Sequence, residues 1–242
     1  DVFAGVLANI MGLDAGTAPD LAGFDMGAFL AERKPAPSIA ARHTVGLVDP
    51  IEASDQPPGS RVDDGLPETL REVIDTYGVT HFKLKVGGDL EADIDRLCRI
   101  AAVTDAVPGA LATLDGNEQY GDADAVATLW RRMTEEPRLA RLCETVLFIE
   151  QPINRAKAME REITALAALK PVEIDESDGS IDAFVEAKAL GYTGVSSKSC
   201  KGFYKALLNR ARCAKWNAEL GQERYFMSAE DLTTQAGLAV QQ

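Results

Sequence analysis

The sequence predicts an α/β chain of the (β/α)8 barrel class, and three observations predict it. From residue 44 onward short β-rich runs alternate with amphipathic helical stretches, the order expected of βα units and a parallel sheet. The units recur at about 25 to 35 residues with no motif repeated from unit to unit, which favours a barrel over a solenoid. The 242 residues suffice for one sizeable core of that kind.

Taken in order, the strand candidates are HTVGLVD (43–49), HFKLKV (81–86), ALATLDG (110–116), VLFIEQP (146–152), PVEIDES (171–177), GVSSKS (194–199) and YFMSAED (225–231). Between them, apolar residues at helical spacing predict helices over 67–77, 91–103, 123–135, 156–169, 180–190 and 203–220. Gly191 and Gly221 fall just past Leu190 and Leu220, where helices commonly end in glycine. The loop 51–65 is rich in Pro, Gly and Asp and is expected to cover the barrel mouth or to link to another segment. Residues 1–40 read as a helical lead-in, with runs FAGVLANIMG and MGAFLAERK, and residues 41–242 as the barrel domain, its eighth strand missing. The chain opens on DVFAG and stops within the helix-like GLAVQQ, so a fragment is expected.

Composition narrows the function classes. With 46% apolar and 26% charged residues, the chain has the make-up of a folded globular protein. A formal charge of −13 argues against nucleic-acid and anionic-membrane partners, which both require a basic patch. Cys98, Cys143, Cys200 and Cys213 have no CxxC spacing and read as reduced thiols. No apolar run approaches the roughly 20 residues of a membrane span, and no basic-then-apolar leader opens the chain, so a cytoplasmic protein is expected.

Catalytic groups of such barrels cluster at the C-terminal ends of the strands. Reading only those ends gives Lys83 and Lys85, Asp115 and Asn117, Glu150, Asp175 and Glu176, Lys198, and Glu230. Each alone is compatible with a strand entering a polar loop, and the Asp115-Gly116 pair with simple turn chemistry. Glu150 is harder to dismiss, because an ionised carboxylate ending the run VLFI needs a partner. Three carboxylates on successive strands, Asp115, Glu150 and Asp175, repel one another unless a cation sits between them, and magnesium suits an all-oxygen set. Beside Lys83 and such a cation, the ammonium form of Lys85 is disfavoured, which suits a base. Lys198, on the sixth strand, lies across a closed barrel from the strand of Lys85, so two bases are expected to face one substrate carbon.

The ordered set HFKLKVGG, TLDGNEQY, FIEQP, VEIDES and SSKSCKG resembles the enolase superfamily, and within it the lysine-type muconate lactonizing enzymes, mandelate racemase-like proteins and dipeptide epimerases. The resemblance covers about residues 43–242 and implies Asp115, Glu150 and Asp175 as magnesium ligands, with Asn117 and Glu176 orienting them. It implies Lys85 as one acid/base, Lys198 as the opposing one, and Lys83 as the group that stabilises charge on the substrate carboxylate. It also implies that residues 1–40 are the remnant of an N-terminal capping domain.

Departures from the family pattern bear on the site. His43 and His81, the two histidines of the chain, precede strand cores and read as structural, which favours the lysine type over a histidine base. Where relatives carry two adjacent glycines after the sixth-strand lysine, this chain reads KSCKGFYK, so Lys201 competes with Lys198 for the acid/base role. Strand alternation places Ser196, Lys198 and Cys200 on one face and favours Lys198. Glu230 is either a polar contact to substrate or lysine, or a charge at a helix N-terminus.

The expected function is magnesium-dependent abstraction of the proton next to a carboxylate, through an enediolate, with racemase or epimerase activity favoured. A lyase or cycloisomerase of the same superfamily is the alternative, and a non-catalytic metal-binding barrel the alternative of another class. The expected partner is a small-molecule carboxylate, and a homo-oligomer is expected.

Overall fold

The computed structural model describes residue 13 and residues 15–34 and 37–230. The chain is α/β with parallel strands, as expected, and it divides into two compact units. One comprises Ile39–Glu160 and Ala165–Pro171; the other comprises the described residues up to Ser38, Arg161–Thr164, and those from Val172 onward.

In the first unit, strands β1 (Arg42–Val45), β2 (His81–Lys85), β3 (Leu111–Asp115) and β4 (Val146–Glu150) pair in parallel in chain order. Helices α2 (Leu70–Tyr77), α3 (Leu90–Thr104), α4 (Ala123–Glu135) and α5 (Ala140–Thr145) separate the strands. Each of the longer helices starts where the sequence supplies an N-cap. Thr69 and Glu72 form a reciprocal capping box, Asp89 accepts from the Ala92 amide, and Asp122 accepts from the Ala125 amide. The buried apolar residues of this unit include Ile94, Leu97 and Ile100 of α3, Val126, Leu129 and Met133 of α4, and Phe82, Leu84, Ala112 and Leu114 of the strands.

In the second unit, β5 (Val172–Ile174), β6 (Gly194–Lys198) and β7 (Phe226–Glu230) pair in parallel, again in chain order. Helix α8 (Ala183–Ala189) follows β5, and the 18-residue helix α9 (Phe203–Leu220) follows β6. Gly194 is required on β6, because a Cβ there would sit 2.4 Å from the Phe226 ring. The expected glycine ends hold: Gly221 caps α9 at φ +70° and Gly191 follows α8 at φ +105°. The run MGAFLAERK forms a short helix α1 (Met26–Ala31), with Asp25 accepting from the Ala28 amide. Leu21, Met26, Phe29 and Leu30 pack with Leu208 and Ala211 of α9. The helix expected over 3–12 and the close of the chain lie outside the described residues.

Two expectations are corrected. The helix expected over 156–169 forms as two single turns, α6 (Arg155–Ala158) and α7 (Thr164–Ala167), because the intervening Ile163 is buried and its amide donates to the Leu190 carbonyl at 2.7 Å. Cys200 does not share a strand face with Ser196 and Lys198, because β6 stops at Lys198 and residues Ser199–Lys201 turn as a 3-10 helix that leaves Cys200 exposed. Among the described residues no helix is long and apolar enough to cross a membrane.

Arg212 of α9 is fully buried, yet charged. Its Nε and Nη2 donate to both carboxylate oxygens of Asp20 at 3.0 and 2.9 Å, and Nη1 donates to Asn209 Oδ1 at 3.0 Å. Removing one member of a buried pair strands the other charge. Arg212→Ala is therefore expected to destabilise the protein by about 3 kcal/mol, read as a lowered urea midpoint; an unchanged midpoint would contradict the role of this pair.

Candidate functional site

The register of the first unit brings three charged strand ends together. Lys85 pairs with Asp115, and Asp115 with Glu150; alternation puts Lys83 and Lys85 on the same face. The Lys83 ammonium lies 2.7 Å from Asp115 Oδ2 and 2.8 Å from Glu150 Oε1. Lys85 Nζ donates to Asp115 Oδ2 at 2.5 Å and also to Asn117 Oδ1. Asp115 and Glu150 are 1% and 0% exposed and Lys83 is 4%, so these charges compensate one another with little help from water. Burial works against the charge on Lys83, but Glu150 and Asp115 outweigh it and hold the lysine pKa above its ordinary value. Burial and the Asp115 charge push Glu150 upward, with Lys83 and Arg42 pulling the other way.

The loops that follow β3 and β4 are held in unusual backbone. Asn117 and Glu118 have φ of +38° and +67°, and Gln151 has φ of +29°. Such conformations cost on the order of 1–3 kcal/mol each in side-chain-bearing residues and persist only where the surroundings fix them. Here the two loops fix each other: Gly116 N donates to Glu150 O at 3.0 Å, Glu118 N to Gln151 O at 2.9 Å and Tyr120 N to Pro152 O at 2.9 Å. The result aims Asn117 at both neighbours, with its amide N donating to Asp115 Oδ1 at 2.9 Å and its side-chain oxygen accepting from Lys85. At Gly116 a Cβ would meet Pro152 Cα at 2.6 Å, so this approach of the two loops excludes a side chain.

In the second unit Asp175 follows β5 directly. Its Oδ2 accepts from Lys198 at 2.5 Å and its Oδ1 from Lys201 at 2.7 Å. Burial raises the Asp175 pKa, but Lys201 and Lys198 more than offset it and leave the carboxyl below its usual range. Lys198 also lies 2.8 Å from Glu230, its register partner on β7. Lys201 donates further to the carbonyls of Asp175 and Ser196, both at 2.8 Å. All three of its protons are thereby used, whereas the two carboxylates engage two of the three on Lys198. Glu176 is half-buried beside Asp175.

Sequence reasoning did not find four charged groups. Arg42 donates to Thr113 Oγ1 at 3.0 Å and lies 3.5 Å from Glu150 Oε2, reaching there from the first residue of β1. Asp178 is buried and lies 3.0 Å from Lys205; burial pushes its carboxyl pKa up. Glu173 is buried one residue pair below Asp175 and accepts from Ser228 Oγ at 2.7 Å. The signal for Lys205 was its place one helical turn beyond Lys201; none marked Arg42.

A family model described as enolase C-terminal domain-like matches residues 65–240. Among solved structures, the chain is 22% identical to the dipeptide epimerase from Methylococcus capsulatus, which was solved with Mg and the dipeptide L-Arg-D-Lys; the match covers 80% of this chain and 47% of that one, with a TM-score of 0.55. The L-Ala-D/L-Glu epimerase from Bacillus subtilis, in a substrate-liganded complex, is 18% identical over 67% of this chain and 42% of that one, TM-score 0.51. A mandelate racemase/muconate lactonizing enzyme from Roseiflexus sp. is 24% identical over 68% and 44%, TM-score 0.50. These likenesses show a shared fold, and the chain spans less than half the length of each. No curated protein matches the chain.

Lys83→Met keeps the length of the side chain and removes its charge, leaving Asp115 and Glu150 to repel. A loss of about 3 kcal/mol at pH 7 is expected. Because the folded-state pKa of Glu150 is raised, the folded protein takes up a proton at higher pH than the unfolded chain does, and stability falls as pH rises from the ordinary carboxyl range through that raised value. Without Lys83 that effect grows, so urea denaturation should give a smaller loss at pH 5 than at pH 7; equal losses at both would contradict the assignment.

Proposed function

Because the chain belongs to the enolase C-terminal domain-like family, we propose that it removes the proton next to a substrate carboxylate, as a magnesium-dependent racemase or epimerase. The observation that carries this reading is the Lys83 ammonium held between Asp115 and Glu150, with Lys85 beside it. The donor set fits the cation: the carboxylates are buried, offer only oxygen, and already draw positive charge. Asp115, Glu150 and Asp175 are the proposed ligands, with Asn117, Glu176 and Glu230 orienting ligands, lysine or substrate. When bound, magnesium supplies Lewis-acid polarisation of the substrate carboxylate.

The chain's own residues do the rest. Lys85 Nζ is the proposed acceptor of the α-proton, and its contact with Asn117 fixes the direction of that nitrogen. The bonding pair moves into an enediolate, whose carboxylate oxygens gain charge that the Lys83 ammonium stabilises. Glu150 and Asp115 keep Lys83 protonated, so it acts as a fixed positive charge and not as a competing base. Lys198 is the proposed second acid/base. Lys201, with its three protons engaged, serves to hold Asp175. Return of a proton to the α-carbon with all heavy atoms kept gives epimerisation; departure of a β-substituent gives the lyase or cycloisomerase outcome.

Incubation with magnesium and a panel of chiral α-hydrogen carboxylic acids in heavy water should give deuterium at the α-carbon. Lys85→Ala and Lys198→Ala are each expected to lower that exchange by about 10²–10⁴-fold, and Glu150→Gln to weaken magnesium binding. If both lysine variants exchange at the wild-type rate while Glu150→Gln loses the metal, the protein is a non-catalytic metal-binding barrel and the proposal fails.

A further inference from the structure

Asp93 has no part in the proton transfer described above, yet it is a buried carboxylate with three donors. Its Oδ1 accepts from Gly87 N at 2.7 Å; its Oδ2 accepts from Gly88 N at 2.9 Å and from the Tyr120 hydroxyl at 2.8 Å. Tyr120 is buried as well. Helix capping does not explain the carboxylate, because Asp89 already caps α3 by accepting from Ala92 N. Burying a charge costs free energy that an apolar residue in the first turn of α3 would avoid.

The bonds of Asp93 join two loops. Gly87 and Gly88 follow Lys85 by two and three residues, and Tyr120 follows Asn117 by three. Where the loops meet, Gly88 has φ of +87° and a Cβ there would lie 2.9 Å from the Gln119 carbonyl oxygen. Val86 N donates to Asp115 O at 3.0 Å on the strand side of the latch, and Asn154 N donates to Tyr120 O at 3.2 Å beyond it. We propose that Asp93 and Tyr120 are positioning residues: they latch the loop that follows Lys85 to the loop that follows Asp115 and carries Asn117, and so set the spacing of base and carboxylate. This rests on the proposed function for its magnesium and kinetic readouts, and not for its amide-exchange readout.

Tyr120→Phe removes one hydroxyl and keeps the ring, so it tests the latch in a folded protein; Asp93→Ala removes the whole latch. In Tyr120→Phe, amide exchange at Gly88 and Asn117 should quicken about tenfold, and the dissociation constant from titration with magnesium alone should rise by a similar factor. The kcat for α-proton exchange should fall about tenfold with KM unchanged, and Asp93→Ala should exceed Tyr120→Phe in each effect. Wild-type Asn117 exchange and wild-type magnesium affinity in both variants, whatever their melting temperatures, would overturn the latch and leave a purely structural role. If the wild-type protein neither binds magnesium nor exchanges any α-proton, the proposed function fails by itself. Asn117 amide exchange then decides the latch alone: faster in Tyr120→Phe upholds it, unchanged overturns it.

Discussion

The Lys83 ammonium shared between Asp115 and Glu150 is the contact on which the first unit depends. Three charges stand on three neighbouring strands with almost no solvent. A pair of carboxylates so placed repels, and burial together with the Asp115 charge raises the pKa of Glu150 against the pull of Lys83 and Arg42. Hydrophobic residues of the same volume would make a more stable core. Retaining charge there makes sense where a fixed positive group and a set of oxygen ligands are both needed.

Holding these groups requires the loops to be as well determined as the strands. The positive-φ residues Asn117, Glu118 and Gln151 lie in loops that bond to each other through main-chain amides and carbonyls. Arg155 adds an ion pair to Glu118 at 2.8 Å. The strain is thus confined to the segment that aims Asn117 at Lys85 and Asp115, and ordinary strand and helix geometry surrounds it. In the second unit the same purpose is met by charge alone, with Lys198 and Lys201 each taking one oxygen of Asp175.

Much of this was legible because strand alternation and barrel polarity are simple rules. In HFKLKV the lysines fall on alternate positions, and Glu150 ends an unbroken apolar run, so each could be assigned to a face before any coordinates. What escaped depended on long side chains and tertiary contacts. Arg42 enters the cluster from the start of β1, the end where no functional group is expected, because its side chain spans the distance. Lys201, named beside Lys198 from the sequence, returns to Asp175 because a 3-10 turn ends β6, with Gly202 at φ +96° closing it. The stretch 156–169 contains good helix formers and no glycine or proline, so only the contact of Ile163 with Leu190 reveals the break. Asp93 falls in the first turn of a helix, where an acid is ordinary, and nothing in its spacing names the amides it binds.

The position at which a divalent cation binds is the most direct test of the site. A crystal structure grown with magnesium should show the ion coordinated by oxygens of Asp115, Glu150 and Asp175 at about 2.0–2.1 Å, with Lys83 and Lys85 still beside the carboxylates. Magnesium bound elsewhere, with Asp115 and Glu150 engaged only by lysine, would contradict it.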